Sequence, residues 1–117
     1  MSVTLAQVAS ELELKILNES LADWEERQVA WGYCSDLLSV VMSDAKIGNL
    51  WITRQIHMNV IAVATLADLA GVVISGKTPS NEVLEKATEE KVPVFYTEEP
   101  VFNIAGKLYK LLSACNE

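Results

Sequence analysis

Gly71-Val72-Val73-Ile74-Ser75-Gly76-Lys77-Thr78, followed by Pro79, matches the phosphate-loop pattern G-x-x-x-x-G-K-[ST] letter for letter. A working phosphate loop needs flexible chain between its glycines, so that backbone N–H groups can turn inward around the anion. Here Val72, Val73 and Ile74 fill that interval. They are β-branched, stiff at χ1 and favoured in strands. The stretch therefore reads as a buried strand, Gly71–Ser75, ending in a turn at Gly76-Lys77. Thr78 is placed to cap a helix that opens at Pro79, which leaves Lys77 outside the helix. The later apolar strand, Val92–Tyr96, runs into Thr97-Glu98-Glu99 and supplies no aspartate for a magnesium ion. The nucleotide-hydrolysing reading is thus a false positive of the pattern.

Outward from this strand the chain alternates. Toward the N-terminus, Val60, Ile61, Val63, Ala64, Leu66 and Leu69 make a helix that is apolar nearly all round, capped by Asn59 and expected to be deeply buried. Leu50–Thr53 is a strand after a Gly48-Asn49 turn. Ser35 or Asp36 caps a helix running to Ala45, with Leu37, Leu38, Val41 and Met42 facing inward. Val29–Cys34 is another strand. Toward the C-terminus, Pro79–Lys91 is an amphipathic helix with Val83, Leu84 and Ala87 inward, and Pro93–Tyr96 is a strand. Pro100 starts a last helix with Phe102, Ala105, Leu108, Tyr109 and Leu112 as its inner stripe. Gly106 weakens that helix by roughly 1 kcal/mol relative to alanine, so close packing against a neighbour is expected there. Strand followed by helix, four times over from Val29, specifies an α/β domain with a mostly parallel sheet and crossover helices. Before it lie a short helix with a Thr4/Gln7 capping box and Leu5, Val8, Ala9 and Leu12 at helical spacing. An alternating strand at Glu13–Asn18 and a polar loop, Glu19–Gln28, carrying Trp24 complete the chain.

The 117 residues suit one domain, spanning 1–117, and half of them are hydrophobic. The net charge of −7 argues against nucleic acid or an anionic membrane as partner. No apolar stretch reaches the ~20 residues that span a bilayer. Met1-Ser2-Val3-Thr4-Leu5 has neither a basic region nor a long apolar run, so no signal peptide is expected. Cys34 and Cys115 are far apart and in no metal-ligand spacing, which fits free thiols in a cytoplasmic protein.

Gly32-Tyr33-Cys34-Ser35-Asp36-Leu37-Leu38-Ser39-Val40-Val41-Met42 resembles the segment that opens the second half of DRTGG domains. Gly48-Asn49-Leu50-Trp51-Ile52-Thr53, then Gln55, His57, Asn59, Ala62 and Ala64, are similar to that family as well. So are Asp68-Leu69-Ala70-Gly71, the Gly76/Pro79 turn and Phe102-Asn103-Ile104-Ala105-Gly106-Lys107-Leu108-Tyr109. The naming signature runs roughly Asp-Arg, a short gap, then Thr-Gly-Gly. Glu26-Arg27-Gln28-Val29-Ala30-Trp31-Gly32 keeps Arg27 and Gly32, with Glu26 for the acid, Ala30 for threonine and Trp31 for the first glycine. Trp31 forbids the close backbone approach that glycine would permit. The resemblance implies a single three-layer α/β domain like the N-terminal domains of HPr kinase/phosphorylase and of MurF-type ligases. It also implies a regulatory role. The family occurs as an appendage, for example in pyrophosphatases with CBS domains and in some phosphotransacetylases, or alone. The kinase's catalytic phosphate loop belongs to a separate domain.

Parallel sheets bind ligands beyond the carboxyl ends of their strands. Four loops are expected there: Cys34-Ser35-Asp36, Arg54–Asn59, Ser75–Thr78 and Thr97-Glu98-Glu99. The candidate ligand-binding residues are Ser35, Asp36, Arg54, Gln55, His57, Asn59, Ser75, Gly76, Lys77, Thr78 and Thr97. Arg54, Lys77 and His57 supply positive charge, and Gln55 and Asn59 supply amides. An adenine nucleotide or another phosphorylated metabolite fits these groups, whereas Asp36, Asn59 and Thr78 are equally fitted simply to cap helices. His57 is the only histidine, which argues against a metal site and assigns it a structural hydrogen bond. No catalytic residue is assigned. Trp51 belongs to the core. Trp24, with the apolar helix at 60–69, points to a homodimer. The functional reading is a non-enzymatic regulatory or ligand-sensing module acting through dimerisation or on a partner enzyme or signalling protein. The alternative is an assembly subunit with no ligand, and a phosphotransferase built on Gly76-Lys77-Thr78 ranks last.

Overall fold

In a computed structural model describing residues 3–115, every residue of the strands Asn49–Thr53 and Gly71–Ser75 is buried. Met1 and Ser2, read above for a signal peptide, lie outside the described residues. The elements are β1 (Val3–Thr4), α1 (Leu5–Leu12), β2 (Lys15–Ile16), a 3-10 turn (Trp24–Glu26), β3 (Gln28–Val29), β4 (Trp31–Cys34), α2 (Leu38–Asp44), β5 (Asn49–Thr53), α3 (Met58–Leu66), β6 (Gly71–Ser75), α4 (Asn81–Glu89), β7 (Val94–Thr97) and α5 (Val101–Cys115). The main sheet has the order β2-β7-β6-β5-β4. Strands β4 to β7 are parallel, and β2 adds to β7 antiparallel. A separate two-stranded ribbon joins β1 to β3.

The pleat sorts the buried strands into two faces. Leu50, Ile52, Val73 and Phe95 pack with Leu5, Val8 and Leu12 of α1 and Ile104, Leu108 and Leu112 of α5. Trp51, Val72, Ile74 and Val94 pack with Val41 of α2, the α3 residues Val60, Ile61, Val63 and Ala64, and Val83 and Ala87 of α4. The result is a three-layer α/β sandwich with a mostly parallel sheet, as expected.

Local chemistry accounts for the ends of the elements. Thr4 caps α1 through the expected box with Gln7. Gly48 and Gly76 adopt left-handed turns, with φ of +81° and +79°. Beyond the short β2, buried Asn18 continues the edge of β7 with its side chain. It donates to the Val92 carbonyl and accepts from Val94 N–H, both at 2.9 Å.

Several expectations are corrected. The strand expected at Val29–Cys34 is two: Val29 pairs with β1, and the chain joins the main sheet only at Trp31. The strand expected at Glu13–Asn18 is regular only at Lys15–Ile16, because Glu13 turns through the left-handed region to cap α1. Helix α4 is capped by Ser80 rather than Thr78, since the Ser80 hydroxyl accepts from Val83 N–H. On α2, Val41 is buried but Leu37 and Met42 are exposed, and on α5 so are Phe102 and Tyr109. The α5 stripe that faces the sheet is Ile104, Leu108 and Leu112. The outer side of α3 shows Leu66 to solvent. No neighbouring element comes within 4 Å of where a Cβ on Gly106 would stand, so close packing does not explain that glycine. Trp24 is half-buried and packs against the core cluster, meeting Phe95 edge to face at 5.5 Å.

Replacing Asn18 by alanine strands a buried carbonyl and a buried N–H at the end of β7. Urea unfolding should show a loss of about 2–4 kcal/mol, against less than about 0.5 kcal/mol for the exposed control Glu85→Ala.

Candidate functional site

Three parallel strands end side by side and deliver their loops to one edge. After β4, Ser35 and Asp36 turn across the end of β5. The Ser35 carbonyl accepts from Trp51 Nε1 at 2.8 Å, and the Ser35 hydroxyl accepts from Leu37 N–H at 3.1 Å. Asp36 does not cap α2. The N-cap is Leu37, with no side-chain hydrogen bond. The Asp36 carboxylate instead accepts from the Thr53 hydroxyl at 2.7 Å and from Arg54 N–H at 2.8 Å. Gln55 closes the arrangement: its side chain donates to the Asp36 carbonyl, and its N–H donates to the Thr53 hydroxyl. Thr53, fully buried at the strand end, belongs to this arrangement but was not among the residues expected from the sequence. A threonine ending a strand gives no local sign that a carboxylate 17 residues earlier will reach it.

Electrostatics agree with this geometry. The Asp36 carboxyl is held below its ordinary range, first by the Arg54 backbone hydrogen bond, then by the Thr53 hydroxyl and the charges of Arg54 and Lys77, with partial burial acting against them. Arg54 and Lys77 thus approach the same carboxylate from two different loops. The left-handed turn at Gly76, next to Lys77, leaves Arg54 Nη2 3.8 Å from the point where a Cβ would stand. Arg54, Gly76, Lys77 and Thr78 are exposed, and Gln55 is half-buried.

The other candidates divide. Ser75 and Thr97 are buried at the ends of β6 and β7, and their hydroxyls are engaged internally. Ser75 Oγ donates to the Glu99 carbonyl at 2.7 Å, and Thr97 Oγ1 accepts from Glu99 N–H at 3.1 Å. With Gly76 N–H donating to the Thr97 carbonyl, these bonds stitch the β6 and β7 loops together. The gap they fill matters. Helix α4 leaves β6 toward one face and α5 leaves β7 toward the other, the kind of divergence that opens a ligand crevice in parallel sheets. Here the backbone of Glu99, whose carboxylate pairs with Lys107 at 2.7 Å, bridges the ends of β6 and β7. The β5–β6 side of the edge exposes Arg54, Gly76, Lys77 and Thr78. His57 is the N-cap of α3 and Asn59 lies in its first turn, both exposed. The expected structural hydrogen bond of His57 is absent among the described residues, and Asn59 does not cap the helix.

The phosphate-loop letters are explained. The interval between their glycines is β6, fully buried, and Gly76-Lys77-Thr78 precede α4 rather than opening it. The degenerate signature lies elsewhere. Arg27, whose guanidinium is drawn below its usual range by burial, donates to the Lys91 carbonyl near the amino ends of the strands, with Asp68 as its nearby countercharge.

No family model matches this chain, and neither does any curated protein. Solved structures do. One is the crystal structure of the CBS and DRTGG domains of the regulatory region of Clostridium perfringens pyrophosphatase, complexed with activator, diadenosine tetraphosphate. The TM-score is 0.64 at 17% identity, over 91% of this chain and 47% of that one. The fold is DRTGG-like. That neighbour is a regulatory region rather than a catalytic one, and this chain spans about half its length.

The Asp36 bonds carry a pH signature. With its folded pKa depressed, Asp36 stabilises the fold above the unfolded carboxyl value near 3.9, and that stability is lost as pH falls through the lower folded value. Asp36→Asn should cost about 1 kcal/mol at pH 7, discounted for the exposure of the group. Paired thermal melts should show the difference between wild type and variant shrinking below about pH 4.

Proposed function

We propose that this chain is a non-enzymatic regulatory module that senses a phosphorylated small molecule, with an adenine nucleotide as the leading class. The observation that carries this reading is the convergence of Arg54 and Lys77 beside Gly76 at the carboxyl edge of the parallel sheet. Two cations here outnumber one carboxylate, in a chain whose net charge is −7. One oxygen of that carboxylate, Oδ1, already accepts from the Thr53 hydroxyl and Arg54 N–H, and both cationic side chains are exposed. The activator bound by the structurally similar pyrophosphatase region, diadenosine tetraphosphate, is rich in phosphate and supports the ligand class.

The geometry also favours sensing over turnover. The strand at Gly71–Ser75 cannot wrap a triphosphate, and the ledge is open to water on its outer side. Ligand occupancy would instead tie the β5 and β6 loops together and pass to a partner protein as a change in the order of that edge.

Isothermal titration with ATP, AMP and diadenosine tetraphosphate, with and without Mg²⁺, tests the reading. Binding should occur without Mg²⁺, and Arg54→Ala and Lys77→Ala should each weaken it about tenfold, near 1.4 kcal/mol. The absence of binding at millimolar ligand would remove the nucleotide sensor. Mg²⁺-dependent ATP turnover abolished by Lys77→Ala would restore the phosphotransferase.

A further inference from the structure

The free edge of the sheet is unprotected. Strand β4 pairs with β5 on one side only. Natural edge strands are usually guarded by lysine, proline, a bulge or a covering loop. Trp31-Gly32-Tyr33-Cys34 has no charged residue and no proline. Beside it, α5 turns an apolar strip outward: Phe102 is 87% exposed and Tyr109 64% exposed. Trp31 reaches toward that helix and meets the Tyr109 ring edge to face at 5.5 Å. Between strand and helix lies an apolar recess of about 140 Å³ that includes Gly32 and Ala105 in its lining. A side chain at Gly32 would collide with Leu108 at 2.8 Å, so the helix sits close over the strand there.

The geometry points to a second copy of this chain as the occupant of this edge. The two β4 strands would run antiparallel about a twofold axis and extend the sheet across the pair, with Trp31, Phe102 and Tyr109 of each protomer closing over the junction. Two arguments select a like partner. An antiparallel strand pair is self-complementary, as a twofold interface must be. The area is also of the right order. At ~150–250 Å² for a whole aromatic side chain, the exposed parts of Trp31, Phe102 and Tyr109 offer roughly 400 Å² per protomer, about half of the ~800 Å² that a standard interface takes from each partner. The unpaired backbone of β4 adds to this. This surface is distinct from Trp24, whose ring packs on Phe95.

Sedimentation velocity on the full chain, without ligand, tests this surface separately from the anion site. Wild type should be a dimer at tens of micromolar. Trp31→Lys and Tyr109→Lys, each with an unchanged circular dichroism spectrum, should each raise the dimer dissociation constant about 30-fold or more, as loss of a hot-spot aromatic does. Leu66→Lys, on the exposed side of α3, should leave it unchanged. A monomeric wild type overturns the proposal. So does a dimer that survives both ring replacements, or one that Leu66→Lys disrupts. Tyr109 is well exposed, so its replacement keeps the test decisive if Trp31→Lys does not fold.

Discussion

The parallel ladder between β5 and β6 is the constraint on which the rest of the structure depends. Both strands are buried on both faces, so neither can slip by a residue without presenting side chains to the wrong helix layer. Their register, Leu50 beside Gly71 through Thr53 beside Ile74, fixes where each strand stops. On the other side of β6, Gly71 permits the close approach of the chain entering β7, since a Cβ there would stand 3.0 Å from the Pro93 carbonyl. Once the two strands end together, Arg54 and Gly76 are neighbours, and the loops that follow share one edge.

That edge is shaped by bonds made across loops. Asp36 is the clearest case. Its sequence position suits an N-cap, but its carboxylate serves the end of β5 instead, and α2 begins without a side-chain cap. The helix gives up a contact typically worth ~1 kcal/mol so that the Arg54 backbone is held in place. Glu99 plays a different part. Its backbone bridges the ends of β6 and β7.

The parts of the fold that were legible in the sequence are those in which local pattern and tertiary role coincide. Gly71–Ser75 is apolar because both its faces are buried, and its β-branched residues rule out a flexible phosphate loop. The Thr4/Gln7 box caps α1 because both partners lie within one turn. Misreadings arose where an apolar residue faces solvent. Phe102 and Tyr109 fit a helical stripe about as well as Ile104 and Leu108 do, and periodicity alone cannot say which stripe meets the sheet. Trp24 misled in the other direction: a polar neighbourhood along the chain concealed a ring packed on Phe95. At the candidate site, the convergence of loops was readable from strand order. The Thr53–Asp36 bond, the stitching by Glu99 and the absence of a cap at Asn59 depend on distances that no local pattern encodes.

The central claim is that the open ledge between the β5 and β6 loops holds a phosphorylated ligand. Amide chemical-shift mapping of the labelled chain during titration with diadenosine tetraphosphate tests it most directly. The largest shifts should fall on Arg54, Gln55, Gly76 and Lys77, with Asp36 following, while Arg27 and Asp68 at the opposite end of the strands stay still. Saturable shifts centred on Arg27 or on the α5 strip, with the ledge unmoved, would contradict it.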